Sequence, residues 1–318
     1  MPSSTTPHRR TARVLSVSAA MFTTVVLSAT STAGATPGAT GGSARSTAIL
    51  FDDFSYADAD DPALTAHHWQ VRTGAGGPGV PGAAWLRQNV TFVDDASRPG
   101  NRYLQLAAAT DGSAAGTSQA EIYHDRKFYT GTYAARVRFT DAPASGPDGD
   151  SVVQAFFTIT PLRYDLDPDY GELDFEYLPN GGWGATGPRL YATAWETYRL
   201  DPWLADNASQ VIEGSQAGWH DLVIQVANRK LRFFLDGTQI AQFGAHFYPE
   251  TPMAIDFNLW FSQLMSAAPG MARTYQQQVD WLYYSDGKVI SPEEAVAQVE
   301  AYRAAGISHL DTVPQWTP

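Results

Sequence analysis

Cysteine is absent from the 318 residues, so neither a disulfide framework nor thiolate chemistry is open to this chain. Basic residues are scarce: 21 Lys and Arg stand against 33 Asp and Glu, a formal charge of −12. A surface of that sign repels phosphate chains, because binding them needs a basic stripe that displaces counterions; nucleic acid is thereby excluded and a neutral partner favoured. The seven histidines show no ligand spacing, so no cofactor or metal is expected in catalysis. Nor does the chain contain an unbroken apolar run of about 18 residues, the length a membrane-spanning helix needs. No repeat of solenoid period is visible.

The most apolar stretch lies at the start. Arg9, Arg10 and Arg13 precede a segment of small and apolar residues, 14–30, and Ala33-Gly34-Ala35 has the small-x-small form of a signal-peptidase site. Residues 1–35 are therefore expected to be an export signal whose removal leaves a secreted protein free of the membrane. Residues 36–46, rich in Gly, Ala, Ser and Thr, form a flexible lead-in. Loss of the three arginines takes the formal charge from −12 to −15. What remains suits one large β domain, 47–290, followed by a helix and tail, 291–318. With 44% hydrophobic residues and nine Trp, burial alone can hold its core, and a monomer is expected.

From Ile49 to Gly287 the chain runs in short stretches of period-two, β-branched and aromatic residues broken by Gly, Pro, Asn and Asp. This predicts strands over 48–54, 69–72, 90–93, 103–107, 118–123, 131–139, 151–160, 171–178, 189–195, 219–226, 230–235, 239–243, 253–261 and 277–284. Many short strands without strand–helix alternation predict an all-β antiparallel sandwich or barrel. Asp236-Gly237 supplies a hairpin turn. Ser291-Pro292-Glu293-Glu294 is a capping box with proline at the first helical position, so a helix should follow and pack outside a sheet.

The chemistry concentrates in Glu172-Leu173-Asp174-Phe175-Glu176-Tyr177-Leu178. On a strand, alternate side chains share a face, which sets Glu172, Asp174 and Glu176 about 6.6 Å apart in one row and sends Leu173, Phe175 and Tyr177 the other way. Stability does not ask for three adjacent carboxylates, since like charges raise one another's pKa. Glycosidic cleavage does: one carboxyl acts as nucleophile or base and a second as protonated acid, and a third between them can hold a proton and keep their pKa values apart. An acidic solvent face or a Ca²⁺ site explains the spacing equally well when it stands alone.

The same heptapeptide resembles the signature strand of glycoside hydrolase family 16, in the form without a β-bulge. Ser118-Gln119-Ala120-Glu121-Ile122, Gly131–Val137, Ala155-Phe156-Phe157-Thr158, Trp219-His220-Asp221-Leu222, Phe233–Gly237, Asn258-Leu259-Trp260 and Asp280-Trp281 are similar to further segments of that family in the same order, over roughly residues 49–285. The resemblance implies a concanavalin-like jelly roll with an open cleft, and retaining cleavage of a β-linked polysaccharide, a β-glucan above others. It makes Glu172 the nucleophile, Asp174 the assisting carboxylate, Glu176 the acid/base and Glu121 a sugar-binding acid. Tyr170, Trp195 and Trp260 should line the cleft, Asn258 should offer its amide to hydroxyls, and Trp183 should stand at the rim. It also implies a structural calcium at Asp280; Asp52, Asp53, Asp58, Asp60 and Asp61 form a second oxygen-rich group. Departures are Tyr170 and Tyr123 where the family often has Trp and Arg, with Thr193 and Ile159 at places usually polar or aromatic. Transfer of the glycosyl unit to another sugar, and sugar binding without cleavage, are the alternative readings.

Overall fold

The computed structural model describes residues 47–265 and 270–317; the expected export signal and lead-in lie outside them. Antiparallel strands build a sandwich. One sheet has the order Trp69–Val71, Ser118–Phe128, Met253–Gln263, Ser151–Ile159, Glu172–Leu178, Arg189–Arg199, Leu204–Glu213. The opposite sheet runs Thr238–Phe243, Lys230–Leu235, Gly218–Ala227, Gly131–Phe139, Arg273–Asp286. Beyond Arg273–Asp286 its two halves take different neighbours: Arg102–Thr110 and then Val90–Asp94 along one, Ile49–Asp52 and then His309–Asp311 along the other.

Period-two alternation positions everything that follows. Leu173, Phe175 and Tyr177 are fully buried in the core between the sheets, where Phe175 meets Phe156 of its own sheet and Phe233 of the opposite one, at ring separations of 6.4 and 5.3 Å. Their chain neighbours Glu172, Asp174 and Glu176 must then face outward from the same strand. The strand continues directly from Gly171, and its neighbours on either side place Phe157 and Thr193 beside Asp174.

The hairpin turn at Asp236-Gly237 has φ of 49° and 79°, the pair of left-handed residues a two-residue turn needs. Pro292–Ala304 forms the expected helix with the capping box closed, and lays Ala295 and Val299 on Phe51, Ala134, Val223, Trp281 and Tyr283 of the opposite sheet's outer face. Trp69 and Trp281 are core residues, at 1% and 2% exposure. The strand Leu204–Glu213 carries no signal in the sequence, because it is a sheet edge with no buried side chain and therefore no apolar alternation.

The calcium expected at Asp280 does not fit the groups around that carboxylate. Its Oδ1 accepts from Arg303 Nη2 at 2.8 Å and Asn101 Nδ2 at 2.9 Å, its Oδ2 accepts from Arg303 Nη1 at 3.2 Å, and Arg136 Nε lies 3.8 Å away. Calcium takes six to eight oxygen ligands; here N–H donors and two guanidinium charges stand in their place. In the second acidic group, Asp53, Asp58 and Asp61 accept from backbone amides of their own turns. Asp52 there joins distant segments, accepting from Phe54 N, Trp69 Nε1 and the Tyr56 hydroxyl, with His309 Nδ1 at 3.1 Å.

Two outcomes follow from these contacts. Phe175→Ala should cost about 3–5 kcal/mol of stability, as other large buried aromatics do on truncation, whereas Leu204→Ala at the exposed edge should change denaturant unfolding by less than about 0.5 kcal/mol. Adding calcium or a chelator should leave the wild-type thermal midpoint in place, while Arg303→Met, which strands a nearly buried carboxylate, should cost about 3 kcal/mol.

Candidate active site

The cleft lies on the outward face of the seven-stranded sheet, with a volume of about 400 Å³ and the Glu172–Leu178 strand across its floor. Glu172, Asp174 and Glu176 line it together. So do Glu121, Tyr170, Trp183, Trp195, Asn258 and Trp260, which means every residue expected from the sequence to act on or bind the sugar meets in one place. A cavity of this size matches the range of small-molecule sites and accepts sugar rings.

Its walls are aromatic. On one side Trp183 and Trp260 lie 5.9 Å apart, above Tyr191, Phe157 and Leu178. On the other, Trp195, Tyr198 and Trp203 form a triangle with ring separations of 5.9–6.5 Å. Such faces suit the C–H faces of pyranose rings. Trp203 belongs to the turn into the silent edge strand, which itself contributes Ala205, Asn207 and Ser209 to the cleft, and Tyr198 ends the strand Arg189–Arg199 past a register shift after Trp195. No period reveals a cleft residue on a turn, past a bulge or on an exposed edge, so these side chains escape a reading based on alternation.

The three carboxyls are set in different states by their partners. Asp174 is 3% exposed; burial first, and then the neighbouring Glu172 and Glu176 charges, hold its pKa well above the carboxylate range. Trp195 Nε1 donates to its Oδ2 at 2.9 Å, and in its protonated form Asp174 can donate to the neighbouring Glu172. Glu172 is raised by burial as well, but the bonds from Asp174 and from the Tyr170 hydroxyl favour its ionised form. Tyr170 thus lines the cleft as a donor to this carboxylate. Glu176 has no such pair of donors. Burial, then the charge of Glu172, push it up to about 8, against a single bond from Trp183. The two glutamates at the ends of the row are thus held differently, Glu172 with two bonds that favour its ionised form and Glu176 with one.

Glu121, 3% exposed, accepts two bonds from Arg72 Nη1 at 3.2 and 3.1 Å, and its Oε2 accepts from Asn258 Nδ2 at 3.4 Å. The guanidinium, stacked 4.3 Å over Trp85, comes from just beyond the adjoining strand Trp69–Val71. An arginine absent at Tyr123 is in this way supplied from elsewhere in the sequence. Asp256 also lines the cleft, and the alternation Asp256, Asn258, Trp260 along Met253–Gln263 marks it as their face-mate.

The fold is shared with solved glucanases. A β-glucanase of Bacillus licheniformis superimposes with a TM-score of 0.54 at 17% identity, over 75% of this chain and 98% of that one. A family 16 endo-glucanase of Bacteroides ovatus gives 0.55 at 15%, over 73% and 98%, and a laminarinase of Flavobacterium sp. UMI-01 gives 0.52 at 15%, over 75% and 100%. Comparison with curated protein sequences finds no significant match. The sequence profile of the glycosyl hydrolases family 16, however, matches residues 84–283, which span the carboxylate strand and every strand of the cleft sheet but Trp69–Val71. This chain belongs to glycosyl hydrolase family 16 and is a glycoside hydrolase.

Proposed function

We propose that the protein is a secreted endo-glycosidase that cleaves a β-linked glucan with retention of anomeric configuration. The observation that carries this reading is Glu172, Asp174 and Glu176 at alternate positions of one strand, all lining one aromatic-walled cleft. Glu172 attacks the anomeric carbon while Glu176 gives its proton to the departing glycosidic oxygen, so that a covalent glycosyl–Glu172 ester forms and the leaving chain ends in a hydroxyl. Glu176, now a carboxylate, takes a proton from water, and that water releases the sugar from Glu172. As Glu172 loses its charge to the ester, Asp174 keeps its proton off both glutamates by its bonds to Glu172 and Trp195. The choice of glucan rests on the aromatic walls and on the likeness to structures whose names are β-glucanase, endo-glucanase and laminarinase. Export rests on the sequence of residues 1–35.

On a panel of β-1,3-, β-1,4- and mixed-linkage glucans, Glu172→Gln should lower kcat by several orders of magnitude with an unchanged unfolding transition; wild-type turnover in that variant would rule out the assigned nucleophile. The pH profile of kcat/KM gives a second check. Glu176 must carry a proton to act, so activity falls as pH rises through about 8. Glu172 must be ionised, so activity also falls as pH drops through its raised pKa; both limbs report the coupled carboxyls as a set. Trp183→Phe removes the bond that lowers Glu176 and should move the alkaline limb upward.

A further inference from the structure

Asp256 has no task in the cleavage steps above, yet it is 1% exposed on the cleft floor and its Oδ2 has no hydrogen-bond partner among the described residues. Two residues along the same face, Asn258 Oδ1 is also buried and unpartnered. Buried polar atoms are nearly always satisfied, and each exception asks for a reason. Core packing does not supply one, because both side chains face the cleft and not the interior between the sheets.

The charges around Asp256 identify the form it takes. Glu121 and Glu172 face it with repelling charge, Arg72 is the cation acting on it, and Tyr123 and Phe157 stand opposite it on the two adjoining strands. Arg72 directs its bonds to Glu121 and to the Gly77 carbonyl, and Asp256 makes no ion pair among the described residues. A buried carboxylate without a cation and between two acids takes up a proton, and burial followed by the Glu121 and Glu172 charges raises Asp256 well above the carboxylate range. In that form it offers an O–H donor, and Asn258 beside it offers an open acceptor.

We propose that Asp256 is a substrate-binding residue of this cleft, donating a hydrogen bond from its carboxyl to a sugar hydroxyl while Asn258 Oδ1 accepts one from the same ring. The inference rests on the glucanase reading and deepens it: the ligand is a pyranose whose neighbouring hydroxyls meet a donor and an acceptor on adjacent alternate positions of one strand. A cleft built to hydrogen-bond a hydroxyl discriminates against sugars lacking it, because its own buried groups are then left unpaired. Asp256 is a specificity determinant and makes no bond to the reacting atoms.

The test compares Asp256→Leu and Asp256→Asn with the wild type on the glucan that the wild type cleaves best. Asp256→Leu should raise KM about tenfold, the weight of one lost hydrogen bond with its stranded partner, with kcat within threefold. Its thermal midpoint should equal or exceed that of the wild type, since an unsatisfied polar group leaves the floor. Asp256→Asn keeps a donor in the same shape and should hold KM within threefold. A KM for Asp256→Leu within twofold of the wild type overturns the inference and leaves the glucanase reading standing. A rise in Asp256→Asn as large as in Asp256→Leu overturns it too, by showing that charge and not a donor is needed. A wild type inactive on every glucan overturns both readings.

Discussion

The alternation of side chains along one seven-residue strand is the constraint on which this molecule's chemistry depends. Leu173, Phe175 and Tyr177 are locked into the core with no exposure to speak of, and the pleat then leaves Glu172, Asp174 and Glu176 no freedom to face anywhere else. A slip of one residue in register would bury three carboxyls between the sheets and put two aromatic rings and a leucine in the cleft. The hydrophobic effect thus holds the catalytic geometry, although none of the groups that supply it touches substrate. The repulsion among the acids is a cost which the tightly packed reverse face offsets, and it also sets their proton states apart.

The cleft grows outward from that strand by the same rule. Each neighbouring strand brings its own alternate residues into register: Phe157 and Thr193 flank Asp174, Ala155 and Tyr191 flank Glu176, and Asn258 and Glu121 continue that second row. Charges run toward the Trp69–Val71 side, where Arg72, Glu121 and Asp256 gather, while the rings of Trp195, Tyr198 and Trp203 dominate the other side. The two halves of the cleft therefore differ in chemistry: rings wall both, through Trp183 and Trp260 on one side and Trp195, Tyr198 and Trp203 on the other, but the buried charges gather in one.

Much of this was legible before any coordinates. The acid strand shows in the sequence because three carboxylates at period two have no stabilising purpose, and the core strands show because apolar residues alternate with polar ones. The edge strand Leu204–Glu213 was silent because nothing on it is buried, and Trp203 was silent with it because a turn has no period. Arg72 could not be assigned, since its partner Glu121 lies 49 positions away and spacing says nothing about pairs formed across a sheet. Asp256 was within reach, two residues before Asn258 and four before Trp260 on one face. The calcium expected at Asp280 failed for a reason of the same kind: the helix that brings Arg303 to that carboxylate follows the β domain, and no local pattern joins the two.

His309–Asp311 lies antiparallel to Ile49–Asp52, so the last strand of the described chain is the partner of the first, and the Asp52 carboxyl is gripped from both. Local opening ordinarily begins where a terminal segment peels away while the rest stays folded. Here the edge strand His309–Asp311 can leave only by exposing Ile49–Asp52 and by uncovering an acid that Trp69 and His309 both contact. The sandwich is in effect sewn shut at its own selvedge, and a processive unfolding machine pulling on one end would have to disturb both before reaching the interior.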